Sequence, residues 1–250
     1  MNALPMHARV FVPPGSWHNS VVELDKEESH HLLHVLRVRE GQAVGILNGQ
    51  GGVGLANVAS VGKGAVTLEI GERREVERPA ARITLFQSLP REQHMDLIIQ
   101  KATELEVSAI VPLQASRSVV KLDAAKAEQR RTRWERIAMG AVKQSGNPWL
   151  PVVEQPCSLD ALLKRALLPE FLLVGSLHEG AQPLRDALRA APARRPVDVG
   201  VFIGPEGDFT GDEMERMLAR GAKPVRFGTA VLRVETAAVF MLSVLRYEFC

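Results

Sequence analysis

Residues 202–215 read FIGPEGDFTGDEME and follow the apolar run VDVGVFIG. Val197, Val199, Val201 and Ile203 fall on one face of that run, as in a buried strand. The GPEG turn then stands at the strand's carboxyl end, where open α/β sheets take their ligands. Pro205 is expected at the second position of a tight turn and Gly207 at its end, with Thr210 and Glu213 spaced as a capping box for the next helix. Such a turn is stiff and brings backbone groups close to whatever it faces. Two further strand-like runs end in the same way, FLLVGSL at Gly175-Ser176 and PVRFG at Gly228. Glycines that merely turn corners would give the same pattern, but three equivalent ends predict one pocket walled by backbone groups.

Beyond Gly228, Arg233 and Glu235 precede a helical stripe of Val239, Leu242 and Leu245, which sets a cation and a carboxylate beside the predicted pocket. A surface ion pair is the alternative use of the same two residues. There is no GxxxxGK[ST] loop and no GxGxxG opening a helix, and the cluster Gly51-Gly52-Val53-Gly54 lies in a β-rich region, so the ligand is not expected to be read through phosphates. His30 and His34 stand one helical turn apart without a third ligand, and no metal site is expected. Trp17, Trp134 and Trp149 are read as packing residues.

The positioning elements fall into two groups. ARVFV, SVVEL, AVGIL, GVGLANV and AVTLEI, between residues 8 and 70, are short β-type segments, with Asn48-Gly49 as a hairpin signal. One helix interrupts them, opened by Asp25 and Glu28 and carrying Leu32, Val35 and Leu36 on one face. ERREVERP, residues 72–79, reads as a linker. After it ITLFQSL, SAIVPLQ, FLLVGSL, VDVGVFIG and PVRFG alternate with helical segments, which implies a mostly parallel sheet covered on both faces. The boundary is expected between residues 74 and 75: a small barrel-like domain, 1–74, and an α/β domain, 75–250.

At 250 residues, 46% hydrophobic and 24% charged, the chain suits two folded domains. Cys157 and Cys250 have no CxxC spacing, MNALPMHARV lacks a secretory apolar core, and no run approaches the roughly 20 apolar residues of a membrane span. A cytoplasmic protein without a membrane partner is the expectation. The net charge of +2 hides a basic stretch, residues 117–147, with eight Lys/Arg against three acids. That stretch would serve either a polyanion or a solvated helix face.

IGPEG at 203–207 and FGTAVLRVETA at 227–237 together resemble the signature of the SPOUT methyltransferases, in particular the RsmE family of 16S ribosomal RNA (uracil-N3)-methyltransferases. HHLLHVLRV (30–38), LNGQGG (47–52), QKATELEV (100–107), SRSVVK (116–121) and RWERIAMGAVKQSGNPWLP (133–151) agree in order and spacing, so the resemblance covers nearly the whole chain. It implies an α/β fold: a PUA-like RNA-binding β-barrel domain, then a parallel-sheet methyltransferase domain threaded as a trefoil knot. It also implies a homodimer that acts on ribosomal RNA within the small subunit, with S-adenosyl-L-methionine held in the knot loops by Val174, Gly175, Ser176, Ile203, Gly204, Pro205, Glu206, Gly207, Phe227, Gly228, Val231 and Leu232.

On that reading Arg233 is the catalytic residue, stabilising charge on the uracil carbonyl oxygens. Arg117, Arg133 and Arg136 are the leading RNA contacts, Arg9 and Arg37 secondary ones, and Lys143, Gln144 and Asn147 complete the set. Three departures stand out: the family's GPEGG reads GPEGD, EQSGR reads KQSGN, and LRTETA reads LRVETA. Lys143 and Asn147 weaken the case for RNA contacts in their loop, whereas Asp208 leaves the first four residues of the turn intact. The residues alone leave open a ribose hydroxyl or a guanine as methyl acceptor, or a non-catalytic RNA-binding protein of the same shape, and identify no general base.

Overall fold

The computed structural model describes residues 8–62, 64–118, 120–189 and 198–249, so Val197 and Cys250 lie outside the described residues. It divides into two compact units, Met1–Arg78 with Met139–Leu150, and Pro79–Ala138 with Pro151–Cys250.

In the first unit β1 (Arg9–Phe11), β2 (Val21–Glu23), β3 (Ala43–Leu47), β4 (Gly52–Gly62) and β5 (Ala65–Glu75) form one sheet in the order β1-β3-β4-β5-β2. The β3–β4 hairpin closes on Asn48, whose Oδ1 accepts the N–H groups of Gln50 and Gly52, both at 2.8 Å. Val10, Val22, Val44, Ile46, Val58, Val66 and Leu68 point into one core with Trp17 and Leu32. β5 runs on to Glu75, pairing Arg73, Arg74 and Glu75 with β4, so the first half of the expected linker is strand.

α1 (Lys26–His30) starts at Asp25, whose carboxylate accepts the Glu28 N–H at 2.8 Å. The reciprocal half of the capping box is not made. Glu28 instead accepts the Phe11 N–H at 3.2 Å and pairs with Lys143 Nζ at 2.5 Å. The backbone then widens into a π turn over His31–Val35, closed by the Leu36 N–H on the His31 carbonyl at 3.0 Å. The wider turn breaks the expected stripe. Leu32 stays buried, whereas Val35 is 60% exposed.

The second unit is a parallel sheet. Its strands are β6 (Arg82–Ser88), β7 (Ala109–Gln114), β8 (Val152–Val153), β9 (Cys157–Ser158), β10 (Phe171–Gly175), β11 (Gln182–Pro183), β12 (Asp198–Ile203) and β13 (Lys223–Arg226). They lie in the order β11-β13-β10-β12-β6-β7-β8, with β9 also on β7, and every pairing is parallel. Parallel neighbours need crossovers. These are supplied chiefly by α2 (Glu92–Glu104), α3 (Ala124–Ser145), α4 (Leu159–Leu163), α5 (Leu184–Arg189) and α6 (Gly211–Ala219), with α7 (Val234–Phe249) last. The last turns of α3 belong to the first unit, where Val142 packs with Leu47 and Val53. Val199, Val201 and Phe202 of the central strand β12 are fully buried, and the Phe86 and Phe202 rings stack at 4.6 Å. Because β13, β10, β12 and β6 are neighbours, their carboxyl ends fall side by side.

Candidate active site

Those adjacent strand ends and the start of α7 enclose a cleft of about 490 Å³. Gly175 and Ser176 line it after β10, Ile203 to Glu206 after β12, and Phe227, Gly228, Val231, Leu232 and Arg233 after β13. Val174 is not on the wall, because strand alternation turns it into the core beside Phe86 and Phe202. Gly207 is not on the wall either; its carbonyl accepts Arg117 Nη1 at 2.7 Å.

The approach of the loops demands small residues. A Cβ on Gly175 would lie 2.9 Å from Phe227 Cζ, and one on Gly204 would lie 3.0 Å from Asp208 Oδ1. The turn itself is shifted by one residue from the expected register. The Asp208 N–H donates to the Pro205 carbonyl at 2.9 Å, so Pro205 occupies the first position and Asp208 the last. Asp208 has φ +58°, a left-handed conformation that aspartate tolerates better than most side chains. Its carboxylate accepts the N–H groups of Phe209 (2.8 Å) and Leu177 (3.4 Å), tying this turn to the segment after β10.

Thr210 and Glu213 make the full capping box of α6, and Glu213 does more. Its second carboxylate oxygen accepts the Ser116 N–H at 2.8 Å and Ser116 Oγ at 3.0 Å, joining the loop after β7 to the turn. Burial alone would raise the Glu213 carboxyl. Hydrogen bonds from the Thr210 and Ser116 N–H groups and hydroxyls outweigh it and hold the group below the usual carboxylate range.

One wall is charged. His94, in the first turn of α2, shares a hydrogen bond with Glu235, at the start of α7, with Nδ1 and Oε2 2.8 Å apart. Burial would raise the Glu235 carboxyl, but the His94 bond, its own N–H and the charges of His94 and Arg233 hold it low. Arg91 also lines the cleft, and its N–H donates to Glu206 Oε1 at 3.3 Å. Sequence reasoning placed Glu235 near the pocket and missed Arg91, His94, Leu177 and Arg226 on its wall. A usable signal existed for the first two: REQHMD follows the apolar run of β6 and must also sit at a strand's carboxyl end.

The basic residues have varied surroundings. Arg37, Arg117, Arg133 and Arg136 are exposed, and Arg133 pairs with Asp96. Arg9 donates to the carbonyls of Lys143 (3.2 Å) and Gln144 (2.7 Å), capping the end of α3. Asn147 is buried and accepts the Trp149 N–H at 2.9 Å. Trp17 and Trp134 are buried, and Trp149 lies under the Arg78 guanidinium at 4.3 Å. Among the described residues no group of His, Cys, Asp or Glu is placed to hold a metal ion, and no helix is long and apolar enough to cross a membrane.

A parallel sheet whose glycine-edged loops close over one cleft, following a small β domain, defines an RNA methyltransferase: the RNA methyltransferase domain family matches residues 76–246, and the RNA methyltransferase PUA domain matches residues 24–71. The Bacillus subtilis ribosomal RNA small subunit methyltransferase E is 33% identical over 225 residues, 89% of this chain and 88% of the relative. The chain belongs to the ribosomal RNA small subunit methyltransferase E family. A putative methyltransferase from Legionella pneumophila, solved with the cofactor SAM bound, superposes with a TM-score of 0.87 at 32% identity over 96% of each chain. The Neisseria gonorrhoeae ribosomal RNA small subunit methyltransferase E, bound to S-adenosyl methionine, gives 0.84 at 27% identity, covering 96% of this chain and 97% of the other.

Proposed function

We propose that this protein methylates N3 of a uracil in the 16S ribosomal RNA of the small subunit, taking the methyl group from S-adenosyl-L-methionine, and that it works in the cytoplasm as a homodimer with its cleft loops threaded as a trefoil knot. One observation carries the reading: the ends of β10, β12 and β13 form a single cleft with Arg233 and Glu235 on its wall.

The residues present fit the cofactor. Gly175 and Gly204 are closely approached by Phe227 and Asp208 and add no side chain of their own, so backbone groups are available to a flat heterocycle. Ile203, Val231 and Leu232 supply apolar surface, and Glu206 and Asp208 supply carboxylates for a cationic ligand. When bound, the cofactor supplies a methyl group on a sulfonium, which leaves as a neutral thioether. The protein's task is to position and polarise the acceptor, since an in-line displacement needs no covalent intermediate. A uracil must be unpaired or extruded before its N3 is reachable. Arg233, exposed on the cleft wall, is the group we assign to stabilise charge growing on the carbonyl oxygens as N3 loses its proton.

The direct test incubates the protein with labelled S-adenosyl-L-methionine and small subunits lacking the modification, then maps the methylated nucleotide and weighs the nucleoside. A 2′-O-methylated ribose or a methylguanine would refute the uracil assignment. A protein that takes up no cofactor by calorimetry would refute enzymatic function.

A further inference from the structure

Methylating uracil N3 requires a group to take its proton, and the charged wall of the cleft contains one that is already held in place. We propose that the Glu235 carboxylate receives the N3 proton and that His94 is its positioning residue. The inference rests on the uracil reading above.

Three acceptor carboxylates line the cleft: Glu206, Asp208 and Glu235. Asp208 is drawn into the turn by the N–H groups of Phe209 and Leu177, one on each oxygen. Glu206 is exposed and accepts the Arg91 N–H at 3.3 Å. Glu235 differs from both. Its side chain is only 16% exposed, and it is fixed from the facing helix by His94 at 2.8 Å. A carboxylate has about four lone-pair sites, so Glu235, which accepts from His94 and from its own N–H, retains sites for a further donor.

The neighbours complete a pattern. The reactive edge of uracil presents a carbonyl, the N3–H and a second carbonyl, which is acceptor, donor, acceptor. The same wall carries side chains that can supply the reverse: Arg233, Arg91 and His94 as donors and Glu235 as acceptor. Cytosine has a lone pair in place of the N3–H and would set it against the carboxylate, so the same residues reject it. In the step proposed, the N3–H bond breaks and the proton passes to a Glu235 oxygen. The electron pair stays on N3 and forms the new bond to the methyl carbon as the methyl–sulfur bond breaks, its pair remaining on sulfur in the departing neutral thioether. The neutral acid returns its proton to water after product release.

The test compares wild type with E235Q, E235D, H94A and H94K in single-turnover methylation of unmodified small subunits, alongside calorimetric cofactor binding. E235Q should lose about 100-fold or more in rate, as removal of a proton-transfer group typically does. Its cofactor affinity should stay within about threefold of wild type, separating chemistry from binding. E235D keeps the acid on a shorter arm and should lie between the two. H94A should lose roughly tenfold, and H94K, which again places a donor beside the carboxylate, should regain most of that loss.

E235Q methylating within about threefold of wild type would overturn the proposal, as would E235D no better than E235Q. So would a wild-type rate limb in the imidazole range, about pH 5 to 8, that persists in E235Q and vanishes in H94K, because it would make His94 the acceptor. Failure of the uracil reading looks different: wild type would then yield no N3-methyluridine at all, whatever the variants do.

Discussion

Asp208 stands where the family's turn carries glycine, and its contacts set a measurable balance. At φ +58° a side chain costs the backbone about 1–2 kcal/mol, less for aspartate than for alanine. Against this the carboxylate accepts the Phe209 N–H at 2.8 Å and a longer bond from Leu177 at 3.4 Å. The shorter bond contributes about 1 kcal/mol or somewhat more, the longer one little. D208A loses both bonds and adds the difference in strain between alanine and aspartate, so it should destabilise by about 1–2 kcal/mol. D208G loses the same bonds but relieves the strain, and should fall only about 0–1 kcal/mol below wild type. D208N keeps an acceptor and tolerates the conformation, and should stay within about 0.5 kcal/mol. At roughly 2–4 °C per kcal/mol for a protein of this size, thermal unfolding separates the series in the order Asn, Gly, Ala. Glycine less stable than alanine, or asparagine as damaging as alanine, would refute the account. Calorimetry on D208N then reports the charge alone: weaker cofactor binding with unchanged stability would place the carboxylate beside a cationic ligand.

Lys143→Met should cost about 3 kcal/mol in urea unfolding, because it strands the Glu28 carboxylate, whose side chain is 9% exposed, and the E28Q/K143M double variant should lose less than the sum of the singles. Glu213 makes stability depend on acid: its carboxyl is held low in the folded state, so its contribution is complete at neutral pH and is lost as pH falls from just above about 4.3, the ordinary glutamate value. E213Q should therefore be less stable than wild type at pH 7 and converge on it below about pH 4, and parallel stability curves would count against the pinned turn. Arg233→Ala should slow single-turnover methylation by about 100-fold with RNA saturating, and an unchanged rate would remove it from the chemistry. Arg136→Glu should weaken RNA binding and flatten its salt dependence, and an unaltered salt slope would exclude the exposed face of α3 from the interface.

How much of this was legible follows from the range of each interaction. Local patterns were readable: the strands of both units, the Asn48 hairpin and the Thr210–Glu213 box depend on residues a few positions apart. The pocket was readable too, because a glycine at a strand's carboxyl end is a local mark, and three such marks fell on adjacent strands. What escaped was decided by partners far along the chain. Glu28 has the spacing of a reciprocal cap, but Lys143, 115 residues away, and the Phe11 N–H claim its carboxylate. Arg9 looked like a free cation until the carbonyls ending α3 were placed against it. His94 is silent in REQHMD because its meaning depends on Glu235, 141 residues later, and on β6 lying beside β12 in the sheet. The order of parallel strands is set by which crossovers pack, a property of the whole sheet that no window of sequence carries. The acceptor carboxylate at this site was thus visible as a residue in the sequence, and acquired a chemical role only through a neighbour that the fold supplies.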